Sequence, residues 1–386
     1  MIGISGQFVF GVTIGHHKDF LSLGDLQEFT VIEDAGGILP TYILVFKIYN
    51  DDILSFINDG NNLEVSFGQS VDSVTNMVLS IFSHNVQPQG NNCKTVTLIG
   101  LLHKPDFLTT AKLVNYDAKL STIEVIKMVA ERNFRVVSNV TRSYDPHLNI
   151  QPNTTDKEFI TKIYPHTDLG ESFPVMGINI RGEFIIHDFR RLVKEGFTWK
   201  IGMDRDAIGI APDYVTSSNS GFVDAQYSRR SNTVDMVGGF STNFLGSVTP
   251  LLTLMKSLTK TNVPAIRGIV GLKGPSIPGF KIAMPSFVNA NVSAKYETAA
   301  LNNVKRLASF SSSKITVTLM PQEYIPISVL DIVMFKQPHT NRQGSSESES
   351  GLYIVTKVAR TIQNSMLLTT VQMSREGMNS EQGNTI

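Results

Sequence analysis

The tightest group of potential metal ligands in this sequence is His16-His17, with Asp19 close behind. Imidazole and carboxylate groups are common zinc ligands. Adjacent residues of a β-strand point to opposite faces, however, so His16 and His17 could not easily hold one ion between them. We therefore expect structural or surface roles for both histidines, and we assign the sequence no metal site.

Two pairs of adjacent carboxylates, Glu33-Asp34 and Asp51-Asp52, have the residue types that general acid–base catalysis uses. Both pairs lie in segments that the sequence predicts to be turns. Acidic residues are frequent in turns because their side chains hydrogen-bond to the local backbone. We therefore expect both pairs to have local structural roles.

Cys93 is the single cysteine, which excludes an internal disulfide and a cysteine-based zinc cluster. In the nearby sequence, Lys94 alone could lower the pKa of its thiol, so we expect no nucleophile there. The sequence contains none of the motifs His-Glu-x-x-His, Gly-x-Ser-x-Gly, Gly-x-x-x-x-Gly-Lys and Gly-x-Gly. The sequence thus predicts no catalytic residue, no cofactor and no enzyme activity.

The charge balance argues against a protein that grips nucleic acid. The chain has 386 residues, with 34 basic and 34 acidic side chains and a formal net charge of zero, whereas phosphate contacts usually require a basic excess. Neither a basic signal region nor an apolar run of the ~20 residues that a membrane helix needs is present. We expect about two to four domains and no membrane anchoring.

Apolar runs in the first 115 residues predict a series of β-strands. Turn signals separate them at Asp34-Ala35-Gly36-Gly37 and at 58–62, and a loop is expected at 87–90. The predicted strands are Phe8–Ile14, 29–33, 42–49, 63–67, 76–82 and 94–102.

Residues 116–190 have a different pattern. Ser121 and Glu124 have the spacing of a capping box at the start of an amphipathic helix, and a second cap within 154–158 begins a helix that Pro165 stops. A strand is expected at 134–140. The runs 176–180 and 183–187 should pair across an Arg181-Gly182 turn.

The C-terminal third again predicts strands, at 315–319, 332–335, 352–358 and 366–373. No helix lies between them, so an antiparallel meander that could close as a small barrel is expected. Its loop from Gly344 to Gly351 is the best candidate for an interaction, although its composition favours a solvated hairpin tip. Trp199 is expected in a core, and segments 197–201 and 235–237 could return to the first strands.

The order of these elements resembles that of phage baseplate hub proteins. Relatives include the central hub of T-even phages, the late-control tail protein D and the hub part of type VI secretion spikes. The closing strands, the preceding helix expected at 296–308 and the stretches Glu33-Asp34 and 64–68 carry the resemblance. Three departures are visible: the segment 326–331 lacks the glycine that usually follows the proline, the position after the last valine of the penultimate strand is Ala359 where relatives often have a polar residue, and Pro165 shortens the second helix.

The resemblance implies a β-rich α+β fold with two small antiparallel β-barrels and an inserted α/β domain. Residues 1–115 would form the first tube-like barrel, which 191–240 could complete, and 116–190 would form the insertion. Residues 241–374 would form the second barrel with the helix at 296–308, and 375–386 would be a flexible tail.

The function that the resemblance implies is structural. A homotrimer would form a pseudo-hexameric ring that joins a sixfold tail tube protein to a threefold tail spike protein, and DNA would pass through without specific binding. The protein would belong to the virion, in the tail baseplate, after assembly in the host cytoplasm. Alternatives are the hub of a type VI spike or of a non-contractile tail tip and, in another class, a tail-associated cell-wall-degrading enzyme.

Overall fold

The computed structural model describes residues 2–4, 8–14, 21, 25–57, 61–68, 74–90, 92–202, 222–229, 241–245, 258–262, 280–283, 299, 303, 313–319, 324–336, 350–364 and 366–375. Across these residues the protein is mostly antiparallel β-sheet with few helices. The β-rich class expected from the apolar runs is therefore confirmed.

The N-terminal strands follow one another, and a 3₁₀ turn at Asp51–Phe56 lies between two of them. They are β1 (Ile2–Ile4), β2 (Phe8–Ile14), β3 (Leu26–Asp34), β4 (Ile38–Ile48), β5 (Asn62–Gly68), β6 (Val74–Gly90) and β7 (Cys93–Leu102). In β3 the side chains of Phe29, Val31 and Glu33 point inward and are buried. Thr30 and Ile32 alternate with them on the opposite face of the strand.

The middle of the chain is an α/β unit, with a 3₁₀ turn at Tyr164–His166. Its elements are α1 (Pro105–Thr109), β8 (Ala111–Asn115), α2 (Thr122–Ala130), β9 (Arg135–Ser138), β10 (Ile150–Thr155), α3 (Asp156–Ile163), β11 (Pro174–Ile178), β12 (Glu183–Asp188) and α4 (Phe189–Glu195). Capping boxes begin α2 at Ser121 and α3 at Thr155, as the spacing predicted. β11 and β12 pair antiparallel, which confirms the predicted hairpin.

The remaining strands are β13 (Trp199–Gly202), β14 (Phe222–Arg229), β15 (Ser241–Leu245), β16 (Leu258–Asn262), β17 (Phe280–Ala283), β18 (Ser313–Leu319), β19 (Ile332–Lys336), β20 (Gly351–Gln363) and β21 (Met366–Arg375). The four closing strands thus overlap the predicted runs, although β20 continues to Gln363, beyond the predicted end at residue 358. β20 pairs with both β19 and β21, and β21 pairs on its other edge with β18.

Thirteen of the described strands belong to one sheet. Its order is β1-β2-β5-β6-β7-β4-β3-β20-β21-β18-β14, with β19 beside β20 and β13 beside β19. We call β1 to β7 the N-terminal group, and β13, β14 and β18 to β21 the C-terminal group. The pairing of β3 with β20 joins the two groups.

Each group is curved, with apolar side chains on its inner face. The rings of Phe10 in β2 and Phe29 in β3 lie 5.1 Å apart, although four strands separate β2 from β3 in the sheet. Similarly, Tyr227 of β14 and Phe335 of β19 lie 6.5 Å apart across the C-terminal group. Most buried residues of the C-terminal group form a cluster of their own. Those of the N-terminal group share a cluster with the α/β unit and with Ile362 and Leu367 of β20 and β21. The sheet is therefore strongly curved at both ends.

Several expectations require correction. β13 pairs with β19, and β14 pairs with β18, so these strands belong to the C-terminal group and do not return to the first strands. The physical reason for β13 is that Ile201 is buried in the C-terminal core. Arg375, assigned to the tail, is the last residue of β21, and its guanidinium lies 4.6 Å from the ring of Tyr353.

Other expectations concern the loop at 87–90 and residues beyond the described ranges. The expected loop at 87–90 is instead the end of β6, which continues to Gly90 because β7 pairs with it there. Of the helix expected at 296–308, only Ala299 and Asn303 are described, and both are helical. Segments 235–237, 344–349 and 376–386 lie outside the described residues.

Candidate functional site

The joint between the two groups depends on the length of β20. One edge of β20 is divided between two partners: its first residues pair with β19, and Lys357–Gln363 pairs with β3. The other edge pairs with β21 along most of the strand. A bulge at Thr356 separates the two halves, and its carbonyl accepts a hydrogen bond from the Ala35 amide at 2.9 Å. One strand therefore belongs to both groups.

A buried ion pair lies at the centre of the joint. Nη1 of Arg360 in β20 donates to Oε1 of Glu33 in β3 at 2.9 Å. The exposed fractions are 0% for Glu33 and 1% for Arg360. Removing two charges from water is costly, so such a pair persists only where further hydrogen bonds satisfy both groups. Glu33 was expected to act in a turn, and it is instead part of the inward face of a strand.

The segment before β19 supplies most of those further hydrogen bonds, although Nε of Arg360 is buried without a hydrogen-bond partner. Oε2 of Glu33 accepts from Oγ of Ser328 at 2.9 Å and from the Val329 amide at 3.3 Å. Nη2 of Arg360 donates to the carbonyls of Ile325 and Ile327. The ion pair thus fixes the segment 325–329 against both β3 and β20.

Asp331 extends the same cluster toward β13. Its Oδ2 accepts from Nε1 of Trp199 at 2.8 Å and from the Ser328 amide at 2.9 Å. Burial raises the pKa of Asp331, and the negative charge of Glu33 raises it further, whereas the two hydrogen bonds and Arg360 act in the opposite direction. Trp199 is half-buried against the C-terminal core, as expected, and it also fastens β13 to the joint.

The backbone is strained beside this cluster. Leu330 has a φ of +71°, a conformation that side chains with a Cβ rarely adopt. Its amide donates to the Val355 carbonyl at 2.8 Å, and the Val355 amide donates to the Asp331 carbonyl at 2.9 Å. Leucine therefore occupies a conformation that glycine would adopt without strain.

The α/β unit meets both groups at the same place. The Gly36 amide donates to the Met176 carbonyl at 2.7 Å, and Ala35 forms a bridge with Gly177 of β11. A Cβ on Gly177 would lie 3.1 Å from a methyl group of Val329. The joint is thus the meeting point of all three parts. Its polar groups hold these parts together.

The opposite face of the sheet at the joint carries an uncharged central band. Thr30 and Thr361 face each other with their Oγ1 atoms 2.9 Å apart, and Ile32 is opposite Ala359. Charged side chains lie at both ends of the same pairing: Asp34 and Lys357 form an ion pair at 3.7 Å at one end, and Glu28, opposite Gln363, accepts a hydrogen bond from Thr30 at 2.8 Å at the other. Uncharged side chains therefore cover the centre of the joint on this face, between the charged groups at its two ends.

The α/β unit has its own buried carboxylate, which the sequence did not reveal. Asp156 is completely buried and accepts from Lys112 at 2.6 Å, from Arg132 at 2.8 Å and from Gln151 at 3.0 Å. These partners lie 5 to 44 positions away in sequence, so no local spacing could have indicated them. With both oxygens occupied, Asp156 stabilises the unit rather than offering a reactive group.

The remaining sequence candidates are not brought together. Cys93 is half-buried at the start of β7, and Asp51 begins the 3₁₀ turn and pairs with Lys94 at 2.7 Å. His16, His17 and Asp19 lie outside the described residues. Within the part of the chain that the structure describes, no cluster of three potential metal-binding side chains occurs, and no helix is long and apolar enough to cross a membrane.

Comparison with known proteins shows structures of similar fold but assigns the chain to no family. No family model matches the sequence, and no curated protein matches it. The tail protein from Neisseria meningitidis MC58 is similar in structure, with a TM-score of 0.60, 11% identity and coverage of 96% of this chain and 98% of that one. The 43 kDa tail protein of prophage MuSo2 from Shewanella oneidensis also gives a TM-score of 0.60, with 10% identity and coverage of 96% and 100%.

A third similar structure is a chain of the Francisella PdpA–VgrG complex. It gives a TM-score of 0.50 and 10% identity, and the match covers 98% of this chain and 60% of that one. At these identities the likeness is one of fold. The protein therefore shares the fold of these tail proteins over nearly its whole length.

Proposed function

We propose that this protein is a structural hub of a phage tail baseplate, a trimer that connects the tail tube to the spike. The observation that carries the proposal is the fold likeness to two tail proteins, which extends over 96% of this chain and nearly all of each relative. The structural role implied by the order of strands in the sequence agrees with this likeness.

Two curved strand groups in one chain support a pseudo-sixfold ring. In each group, side chains of strands near its two ends approach each other across apolar residues, as Phe10 of β2 and Phe29 of β3 do and as Tyr227 of β14 and Phe335 of β19 do. If each group closes as a small barrel, three copies supply six barrels. Such a ring can contact a sixfold tube on one side and a threefold spike on the other.

A hub of this kind needs the two barrels of each copy in a fixed relation. The buried Glu33–Arg360 pair and the shared strand β20 supply that rigidity, because sliding of one group would leave both charges buried without partners. The α/β unit, attached at Gly36 and Gly177, would then project from a fixed point of the ring.

The charge distribution suits a channel that lets DNA pass. The formal net charge is zero, and the central band at the joint is uncharged. Phosphate groups bind where lysine and arginine side chains are concentrated. We therefore propose passage of DNA without specific binding, no enzymatic role, and a location in the virion tail after assembly in the host cytoplasm.

Light scattering and negative-stain micrographs of the purified protein test this function. We expect a mass three times the 42.6 kDa of the chain and ring-shaped particles with six lobes. Monomers alone at high concentration, without rings, would refute the proposal. Digestion of purified cell walls by the protein would favour the enzymatic alternative.

A type VI spike hub is the second candidate, because the fold likeness includes a chain of the PdpA–VgrG complex. The two candidates differ in the structure to which the ring is attached. Co-purification of the protein with a phage tail tube would support the baseplate hub, whereas co-purification with a secretion spike would support the second candidate.

A further inference from the structure

The segment 143–152 of the α/β unit has its polar side chains inside and its apolar side chains outside. Alternate residues are buried and all of these are polar: Ser143, Asp145, His147, Asn149 and Gln151. The residues between and after them are exposed, and all of these are apolar or aromatic: Tyr144, Pro146, Leu148, Ile150 and Pro152. A period of two usually places the apolar set in the core. Here the order is reversed.

The buried polar side chains are held by hydrogen bonds at the start of α2. Oγ of Ser143 accepts from the Ile123 amide at 3.2 Å, and the Ser143 amide donates to Oγ of Ser121 at 3.2 Å. The hydroxyl of Thr122 donates to the carboxylate of Asp145. Turning the apolar set inward would break these bonds and leave their partners buried and unsatisfied. The reversed order is therefore fixed by the unit itself.

The outward side chains join with β8 in one apolar patch. β10 pairs antiparallel with β8, and Leu113 of β8 is directly opposite Pro152. The exposed fraction is 75% for Leu113, 65% for Tyr144 and 49% for Leu148. Single exposed apolar residues are ordinary, whereas a set of six is typical of an interaction site. We call the following six residues the apolar row: Leu113, Tyr144, Pro146, Leu148, Ile150 and Pro152.

The size of the apolar row argues against a second copy of this chain as its occupant. Its exposed side chains amount to roughly 500 Å², near the largest apolar patch of a typical monomer. A stable pair of proteins buries more, about 800 Å² on each partner. A contact of the row with itself would also require a twofold axis, which a threefold ring does not contain. We therefore expect a different protein there.

The hydrogen bonds of the segment favour a helix over a strand as the partner. The amides of Tyr144 and His147 donate to carbonyls within the α/β unit, at 2.9 and 3.3 Å, and the Asn149 carbonyl accepts from the Tyr116 amide at 2.9 Å. An added strand would need such backbone groups, whereas an amphipathic helix contacts side chains alone. Two neighbouring strands and one helix are both about 10 Å wide. The face of β8 and β10 thus matches one helix.

We propose that the apolar row binds the apolar face of an amphipathic helix from another tail protein. This site rests on the hub function proposed above, because a unit that projects from a ring at the end of a tail meets other tail proteins. β8 and β10 form a sheet of their own, separate from the sheet of β11, which contacts the joint at Gly177. The row can therefore be occupied while the tube and the spike contact the ring.

Photo-cross-linking in purified tail particles tests the site. Leu148 is replaced by the photo-reactive residue p-benzoylphenylalanine, and the cross-linked peptide is identified by mass spectrometry. We expect a peptide of a different tail protein in which apolar residues recur at intervals of three and four. The same replacement at Lys162, an exposed position of α3, is the control and should not give this peptide.

The outcomes separate this site from the hub function. A cross-link from position 148 to a second copy, or to another segment of the same chain, would overturn the site and leave the hub function standing. The same conclusion would follow if tails that contain the protein gave no cross-link at all. Absence of the parent protein from purified tails would overturn the hub function and this site together.

A binding measurement gives an independent test. The cross-linked peptide is synthesised, and its dissociation constant is measured with the purified full-length protein. Leu148→Ser should weaken binding at least tenfold and leave the melting temperature within about 2 °C, because the side chain is exposed.

The matched control for Leu148→Ser is Met128→Ser. Met128 lies on α2, outside the apolar row, and its exposed fraction is 47%, close to the 49% of Leu148. We expect Met128→Ser to change the dissociation constant less than twofold. Equal weakening by the two variants, or no weakening by Leu148→Ser, would contradict the proposal.

Discussion

Arg360 donates to Glu33 across 327 positions of sequence, and both side chains are completely buried. The two residues belong to different strand groups, and their strands pair directly. The register of the whole joint is therefore fixed by charge as well as by backbone hydrogen bonds. A slip of one residue would turn one partner to the opposite face of the sheet.

We expect Arg360→Met to lower the free energy of unfolding by about 3–5 kcal/mol, because it leaves the Glu33 carboxylate buried and uncompensated. The double variant Glu33→Leu with Arg360→Met should recover most of that loss. Urea unfolding followed by the fluorescence of Trp199, the single tryptophan, reports on the joint itself. A double variant as unstable as Arg360→Met would contradict this account.

Leu330 tests the cost of the strained backbone. At its φ of +71°, a residue without a Cβ is favoured, so Leu330→Gly should be more stable than Leu330→Ala by about 1 kcal/mol. Both variants lose the packing of the buried leucine, so the difference between them isolates the backbone term. At ordinary strand positions the order is reversed, and Ala359→Gly on β20 serves as the control. The measurement is urea unfolding of all three.

Gly100→Ala should destabilise the protein by about 1–3 kcal/mol, since the new methyl group would overlap the Ser80 carbonyl. Hydrogen exchange should show faster exchange in β6 beyond residue 81. Ser83→Ala, an exposed change on the same hairpin, is the control and should alter stability by less than about 0.5 kcal/mol. Equal stability of Gly100→Ala and the parent protein would refute the close approach.

The buried side chain of His187 should make the stability of the α/β unit sensitive to acid. Burial lowers its pKa, although Glu195 opposes the shift, and its Nδ1 accepts from the Asn139 amide at 3.0 Å. Because the folded-state pKa is below the unfolded value of about 6.5, this contribution to stability is complete above pH 6.5 and is lost as the pH falls through the folded pKa. His187→Asn, which cannot become charged, should unfold with a smaller dependence on pH between 7.5 and 5. Equal slopes would contradict the assignment.

The contribution of Asp331 to stability should depend on pH in the direction opposite to that of His187. Its folded-state pKa is raised, so its contribution is fully present below its unfolded pKa and is lost as the pH rises through the folded value. Asp331→Asn keeps an oxygen acceptor for Trp199 and Ser328 but removes the buried charge. We expect its stability at pH 7 to equal or exceed that of the parent, by about 1 kcal/mol or less. A large loss in urea unfolding would show that the charge itself is required.

Local patterns were sufficient for much of the fold. The alternation of apolar residues predicted Phe8–Ile14 without error, and the capping boxes at Ser121 and Thr155 begin helices as expected. These features depend on residues within one or two turns of each other, so the sequence displays them directly. The hairpin of β11 and β12 is equally local.

The joint could not be derived from local patterns. Glu33 resembles the start of an acidic turn, because its partner Arg360 lies at the other end of the sequence. Gln87 to Gly90 have the composition of a loop, yet pairing with β7 outweighs that propensity. The pairing of β13 with β19 is parallel and non-local, so nothing near Trp199 indicates it.

The separation of β3 from β20 has a consequence for synthesis. At a translation rate of about 5–20 residues per second, roughly 15–65 s pass between the synthesis of β3 and that of β20, which pairs with it. During that interval the carboxylate of Glu33 is an inward-pointing charge on an uncovered edge, which discourages association with neighbouring nascent chains. Glu33→Leu should therefore reduce the soluble yield of newly made protein more than its equilibrium stability would suggest, and comparing yield in cell-free translation with refolding of the same variant would reveal this. Glu33 would then both stabilise the folded protein and reduce association of the nascent chain.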